Sequence, residues 1–182
     1  MKRAILNLKM NIKKSVKHIV DSKIFILICL FLFISSVTFG CILPTNIQNK
    51  SWNEINNIIN KQRNLPLMLS IFFNNTRVCL YSLTGIISFI VLINNGIVIG
   101  IFLSHNSVNI STIQRILYIL PHGILEISIF IISSAIGIKF LYELIFLQKT
   151  KCFIKNIYSL IFIIIPIIFI SAIIETIWIY IR

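Results

Sequence analysis

The chain has 182 residues, 57% of them hydrophobic and 12% charged, with a mean hydropathy of +0.94. A soluble domain of this size carries about 25% charged residues, which excludes an ordinary water-soluble globule and leaves a single membrane-embedded domain. The net charge of +12 does not point to nucleic acid, because the basic residues flank apolar runs, where they meet anionic lipid and set orientation.

Residues 1–23 hold seven basic residues and one acid, Asp21. Ile5, Leu8, Ile12, Val16 and Ile19 recur at three- and four-residue steps, which predicts an amphipathic helix. Lys9, Lys13 and Lys17 fall on another face, so the helix is expected in the inner membrane interface. Ile24–Ile42 is 19 residues without a charge, enough at ~1.5 Å per residue for a ~30 Å hydrocarbon core. Phe39-Gly40-Cys41 resembles a lipoprotein cleavage site only in outline, and the run reads as a retained anchor.

Pro44 ends that run, and residues 45–76 read as a polar loop in which Trp52, Ile55, Ile58 and Ile59 could form a short surface helix. Val78–Ile93 reads as a second crossing. Ile97–Val108 is a third, short and polar at its end; it needs protein around it. Gly96 and Gly100, four apart, would let another helix approach closely there. Leu117–Leu147 is the fourth run, with Pro121 suited to a first helical turn. Lys149, Lys151 and Lys155 follow in the connector 148–156, and Ile157–Ile181 is the last run, interrupted by Pro166.

The basic lead and the three-lysine connector both belong inside. An even number of passes must join them, which predicts five crossings with Arg182 outside. The expected architecture is therefore all-α: a polytopic transmembrane helical bundle over 24–182, its third crossing short and broken, preceded by the interfacial segment 1–23. The N-terminus is expected in the cytoplasm. Cys29, Cys41, Cys79 and Cys152 show no C-x-x-C spacing and read as small apolar side chains.

Polar groups at apolar depth carry the functional reading. Asn75 and Arg77 precede the second crossing, Asn95 sits between the second and third, His122 and Glu126 open the fourth, and Glu175 lies near the outer end of the fifth. The five-crossing path brings Arg77, His122, Glu126 and Glu175 to one layer, and Asn75 and Asn95 are counted with them in the expected polar network. His122 and Glu126 share a helix face, and Arg77 is the expected counter-ion of Glu126 or Glu175. Such a layer serves either to fix helix register or to line a cavity for a peptide, lipid or proton. Enzymatic chemistry is not expected: His122-x-x-x-Glu126 is not a zinc-protease motif, no G-x-S-x-G is present, and nothing implies a cofactor or metal. Lys139 and Glu143 read as an i,i+4 helix pair.

Asn75-Thr76-Arg77-Val78, Asn95-Gly96 with Gly100, Pro121-His122-Gly123-Ile124-Leu125-Glu126, Gly137 and Ala172-Ile173-Ile174-Glu175 together resemble the SpoIIM family, named for stage II sporulation protein M. The resemblance covers about residues 70–180. It implies a multi-span membrane protein with Gly96, Gly100, Pro121, Gly123 and Gly137 at helix contacts. It further implies an accessory role in envelope processes or in bacteriocin maturation and secretion. The expected partners are an ABC transporter, a peptidoglycan-remodelling complex or further copies of the chain. The alternative expectation is a transport component whose polar layer handles a peptide or lipid.

Overall fold

The structure, a computed structural model, describes residues 2–44, 46–47, 50, 67–104, 112–148 and 152–181. These residues are helical nearly throughout, in the order α1 (Lys2–Val20), α2 (Lys23–Ile42), α3 (Leu67–Ser82), α4 (Ile86–Ser104), α5 (Thr112–Leu147) and α6 (Cys152–Ser159). A π-helical turn (Leu160–Ile164) then leads into α7 (Ile165–Ile181). Four stretches are long and apolar enough to cross a membrane: Lys23–Ile42, Ile86–Ser104, Gly123–Leu147 and Asn156–Ile177. The all-α membrane bundle expected from the sequence is thus present.

The second and third runs are partitioned differently from expectation. Residues 78–93 are not one helix. A helix begins at Leu67, where Leu67, Met68, Leu69, Ile71, Phe72 and Phe73 supply an apolar start after Pro66, and it stops at Ser82. Leu83, Thr84 and Gly85 make a tight turn, with Gly85 at φ +85°, a conformation that costs glycine least. Ser88 Oγ donates to the carbonyl of Ser82 and so joins the two helix ends. The glycines of the expected short third crossing lie inside a continuous 19-residue helix, α4. The suggested surface helix around Trp52, the polar stretch from His105 and the lysines 149 and 151 lie outside the described residues.

Backbone pairings fix the helix directions. Gly96 faces Phe33 and Ser36 of α2, while Gly100 faces Val37, Gly40 and Cys41; both helices advance together, so α2 and α4 are parallel. Asn75 meets Glu126, the Cys79 carbonyl accepts from Ser133 Oγ at 2.8 Å, and the Ser82 carbonyl faces Gly137; α3 and α5 are parallel too. The turn at 83–85 folds α3 against α4, and α7 passes Glu126 through Ser171. Three helices therefore run one way and two the other.

Helix α5 stands between two apolar clusters. On one side Phe130, Ile131, Ala135 and Ile138 pack with Cys29, Phe33 and Leu92. On the other, Ile129 and Ile136 pack with Cys79, Ile164 and Ile168. Lys139 and Glu143 lie 4.0 Å apart on α5, as their spacing predicts. The π-helical turn has a local cause. Pro166 offers no N–H and its ring would clash with the carbonyl four residues back; widening the preceding turn lets Ile165 donate to Leu160 instead. At the other end of the chain, α1 is helical as its stripe predicts, with Ile12 and Val16 exposed on the outer face. Its buried face is polar, formed by Ser15, His18 and Ser22, and rests against α6.

Candidate functional site

One polar layer crosses the bundle at the level of the α2–α4 glycine contact. Helix α3 brings Asn74 and Asn75, α4 brings Asn95, α5 brings Glu126, and α7 brings Ser171 and Glu175. Asn75 Nδ2 donates to Glu126 Oε1 in a short hydrogen bond. Ser171 Oγ donates to the same oxygen at 3.2 Å, and the Glu175 carboxyl group lies beside it. Asn95 turns its amide to its own helix, donating to the Val91 carbonyl at 2.8 Å. A cavity of about 130 Å³ opens beside this group, walled by Asn74, Asn75, Asn95 and Glu126 and by Phe33 and Phe130.

The placement follows from helix phase. Asn75, Cys79 and Ser82 recur at four and three residues, so one face of α3 carries all three toward α5. Arg77, two residues from Asn75, is about 200° around the helix and cannot share that face. It is exposed; its Nε donates to Tyr81 Oη at 3.0 Å, and its guanidinium carbon sits 5.4 Å from the Tyr81 ring centroid. Among the described residues no ion pair joins Arg77 to Glu126 or Glu175, so the expected counter-ion is replaced by the Asn75 amide. The arginine can satisfy its charge on the aromatic face without being drawn into the bundle.

Of the predicted residues, then, Asn75, Asn95, Glu126 and Glu175 gather in one layer and Arg77 does not. The side chains of Pro121 and His122 lie outside the described residues. The backbone there is helical, however, and Pro121 stands in the interior of α5 rather than in its first turn, because the helix already begins at Thr112. Gly96 and Gly100 lie against α2, Gly137 lies against the end of α3, and Gly123 is buried. Sequence reasoning missed Asn74, Ser171 and Gly40. Ser171 had a signal, since it lies four residues before Glu175 on one face of α7. Gly40 had one as well, being the only residue of α2 that can admit the Ile97 carbonyl.

Chemically, the layer is a hydrogen-bond acceptor held by neutral donors, with a second carboxyl group adjacent. Among the described residues no three His, Cys, Asp or Glu side chains come together as a metal site requires. A cavity of this size takes a few water molecules and is too small for a folded peptide.

The family model described as stage II sporulation protein M matches residues 29–178, which include every member of the polar layer. An uncharacterized protein of Methanocaldococcus jannaschii is 37% identical over 128 residues, covering 66% of this chain and 70% of that relative. No solved structure matches.

Proposed function

This chain belongs to the stage II sporulation protein M family, and from that premise we propose that it is a non-enzymatic accessory subunit of a larger membrane assembly. The observation that supports this reading is that the polar layer ties separate helices together. Glu126 is engaged from α3 by Asn75 and from α7 by Ser171, and the space beside it is about 130 Å³. Polar groups used in this way tie helices to one another in a medium where unsatisfied ones are costly. The assemblies that suit such a subunit are envelope-remodelling complexes and bacteriocin maturation or export machinery. A second reading, a transport component that handles a substrate in the outer half of the membrane, rests on the same cavity.

The two readings separate by experiment. The purified chain in liposomes is expected to move neither ions nor labelled peptide. In its native membrane it should migrate on native gels well above the 21.0 kDa of the chain, and this should be lost when the adjacent membrane-protein genes are deleted. Peptide flux through the chain alone would overturn the scaffold reading and favour transport.

The proposal includes a topology of five crossings with the N-terminus inside. Its support is the alternation of helix directions: α2 and α4 are parallel, so α3 returns the chain between them, although α3 has only 16 residues. A cysteine introduced at position 182 should react with a membrane-impermeant reagent on intact cells, and one at position 150 should not. The reverse labelling would eliminate this topology.

A further inference from the structure

The seam between α1 and α6 contains polar groups that the fold itself does not use. His18 Nε2 and Asn156 Oδ1 are 2.9 Å apart and both residues are buried, which joins positions 138 residues apart in sequence. Around this contact Ser15 Oγ, Asn156 Nδ2 and Ser159 Oγ are buried without a hydrogen-bond partner among the described residues. Ser15 is 1% exposed. Buried donors are rarely left unpaired, and of these three the Ser15 hydroxyl borders a cavity that an acceptor could enter. Ser15 and His18 line this cavity of about 570 Å³, together with Lys14, Lys17, Asp21 and the apolar side chains of Ile154 and Tyr158.

We propose that this cavity binds the phosphate-bearing headgroup of a membrane lipid. The phosphate lies between Lys14 and Lys17 and accepts from the Ser15 hydroxyl. Asp21 repels the phosphate itself and so takes the hydroxyl side of a glycerol headgroup. Ile154 and Tyr158, both exposed, continue the wall toward the apolar run of α7 and receive the start of the acyl chains. Free phosphate would gain nothing from that apolar wall, which is why the lipid is the occupant. Ser15 and His18 precede the matched family residues 29–178, so the site adds to the polar layer rather than extending it.

The test uses the full chain in mild detergent with three probes: phosphatidylglycerol, diacylglycerol of the same chain length, and inorganic phosphate. Binding is read by native mass spectrometry. Phosphatidylglycerol should bind, and the variant Lys14→Gln/Lys17→Gln should weaken it about 20- to 30-fold, the equivalent of ~1 kcal/mol per lysine near a headgroup. Lys9→Gln/Lys13→Gln removes the same charge from two lysines of the same helix that do not line the cavity and should change affinity less than about threefold. Ser15→Ala should weaken binding while the melting temperature of the lipid-free protein holds. Equal losses in the two lysine pairs would reduce the site to general basic attraction and overturn the proposal. Diacylglycerol or inorganic phosphate matching phosphatidylglycerol would overturn it as well.

Discussion

Gly100→Ala should abolish accumulation of the folded protein, or lower its stability in detergent by at least about 3 kcal/mol. A Cβ at this position would run into the Val37 carbonyl and come within 2.9 Å of both Cys41 N and Gly40 Cα. All of these are backbone, so no rotamer change relieves the overlap and the two helices must separate. Overpacking of a core costs 1–3 kcal/mol when side chains can shift, and here they cannot. Separation would also loosen the thiol contact of Cys41 with the Gly100 carbonyl at 3.3 Å. Gly96→Ala offers the contrasting case: its nearest neighbour is Ser36 Cβ at 2.6 Å, and Ser36→Gly should rescue much of its loss in a double mutant. Val37→Gly should not rescue Gly100→Ala. Thermal unfolding of the purified variants decides the matter, and wild-type melting of Gly100→Ala would refute close backbone packing of α2 on α4.

At the polar layer, Glu126→Ala should destabilise the protein by about 2–4 kcal/mol, and Glu126→Gln by much less. Alanine removes the acceptor of the half-buried Asn75 amide and of the buried Ser171 hydroxyl, and a buried donor costs about 1–3 kcal/mol when unsatisfied. Glutamine keeps an acceptor oxygen for both. Asn75→Ala combined with Glu126→Ala should cost less than the sum of the single changes, because the second removes a partner already lost. Equal melting temperatures for the Ala and Gln variants would show that the hydrogen bonds to Glu126 carry no stability.

The parts of the fold legible in the sequence were those where hydropathy is continuous. Lys23–Ile42 needed only length and an uncharged run from Ile24 on, and the run ending at Leu147 is long and apolar enough to stand out despite Glu126, Lys139 and Glu143. The boundary between α3 and α4 was not legible, since Ser82-Leu83-Thr84-Gly85 interrupts an apolar run without a charge or a proline, and hydropathy does not register a positive φ. Glu126 and Glu175 stood out as carboxylates at apolar depth. Pairing them with Arg77 failed because charge complementarity was weighed without helix phase, and phase gives the position to Asn75. The His18–Asn156 contact left no local trace at all. Its elements lie at opposite ends of the chain, and only the three- and four-residue spacing of Ser15, His18 and Ser22 hints at a polar face.

The short helix α3 also bears on how the protein is made. At ~1.5 Å per residue its 16 residues reach about 24 Å, less than the ~30 Å hydrocarbon core. It carries Asn74, Asn75 and Arg77 besides, and a charge near the centre of a crossing disfavours insertion by about 2.5–3.5 kcal/mol. Alone, such a segment crosses poorly, even though its first half is apolar. The three-residue turn changes this, because it presents α3 to the membrane already laid against the strongly apolar α4. On the proposed five-crossing topology the unit that partitions is then the hairpin, which is complete only when residues through Ser104 have been synthesised. Glu126 arrives later still, so the Asn75 amide enters the bilayer before the carboxylate that will accept its hydrogen bond exists.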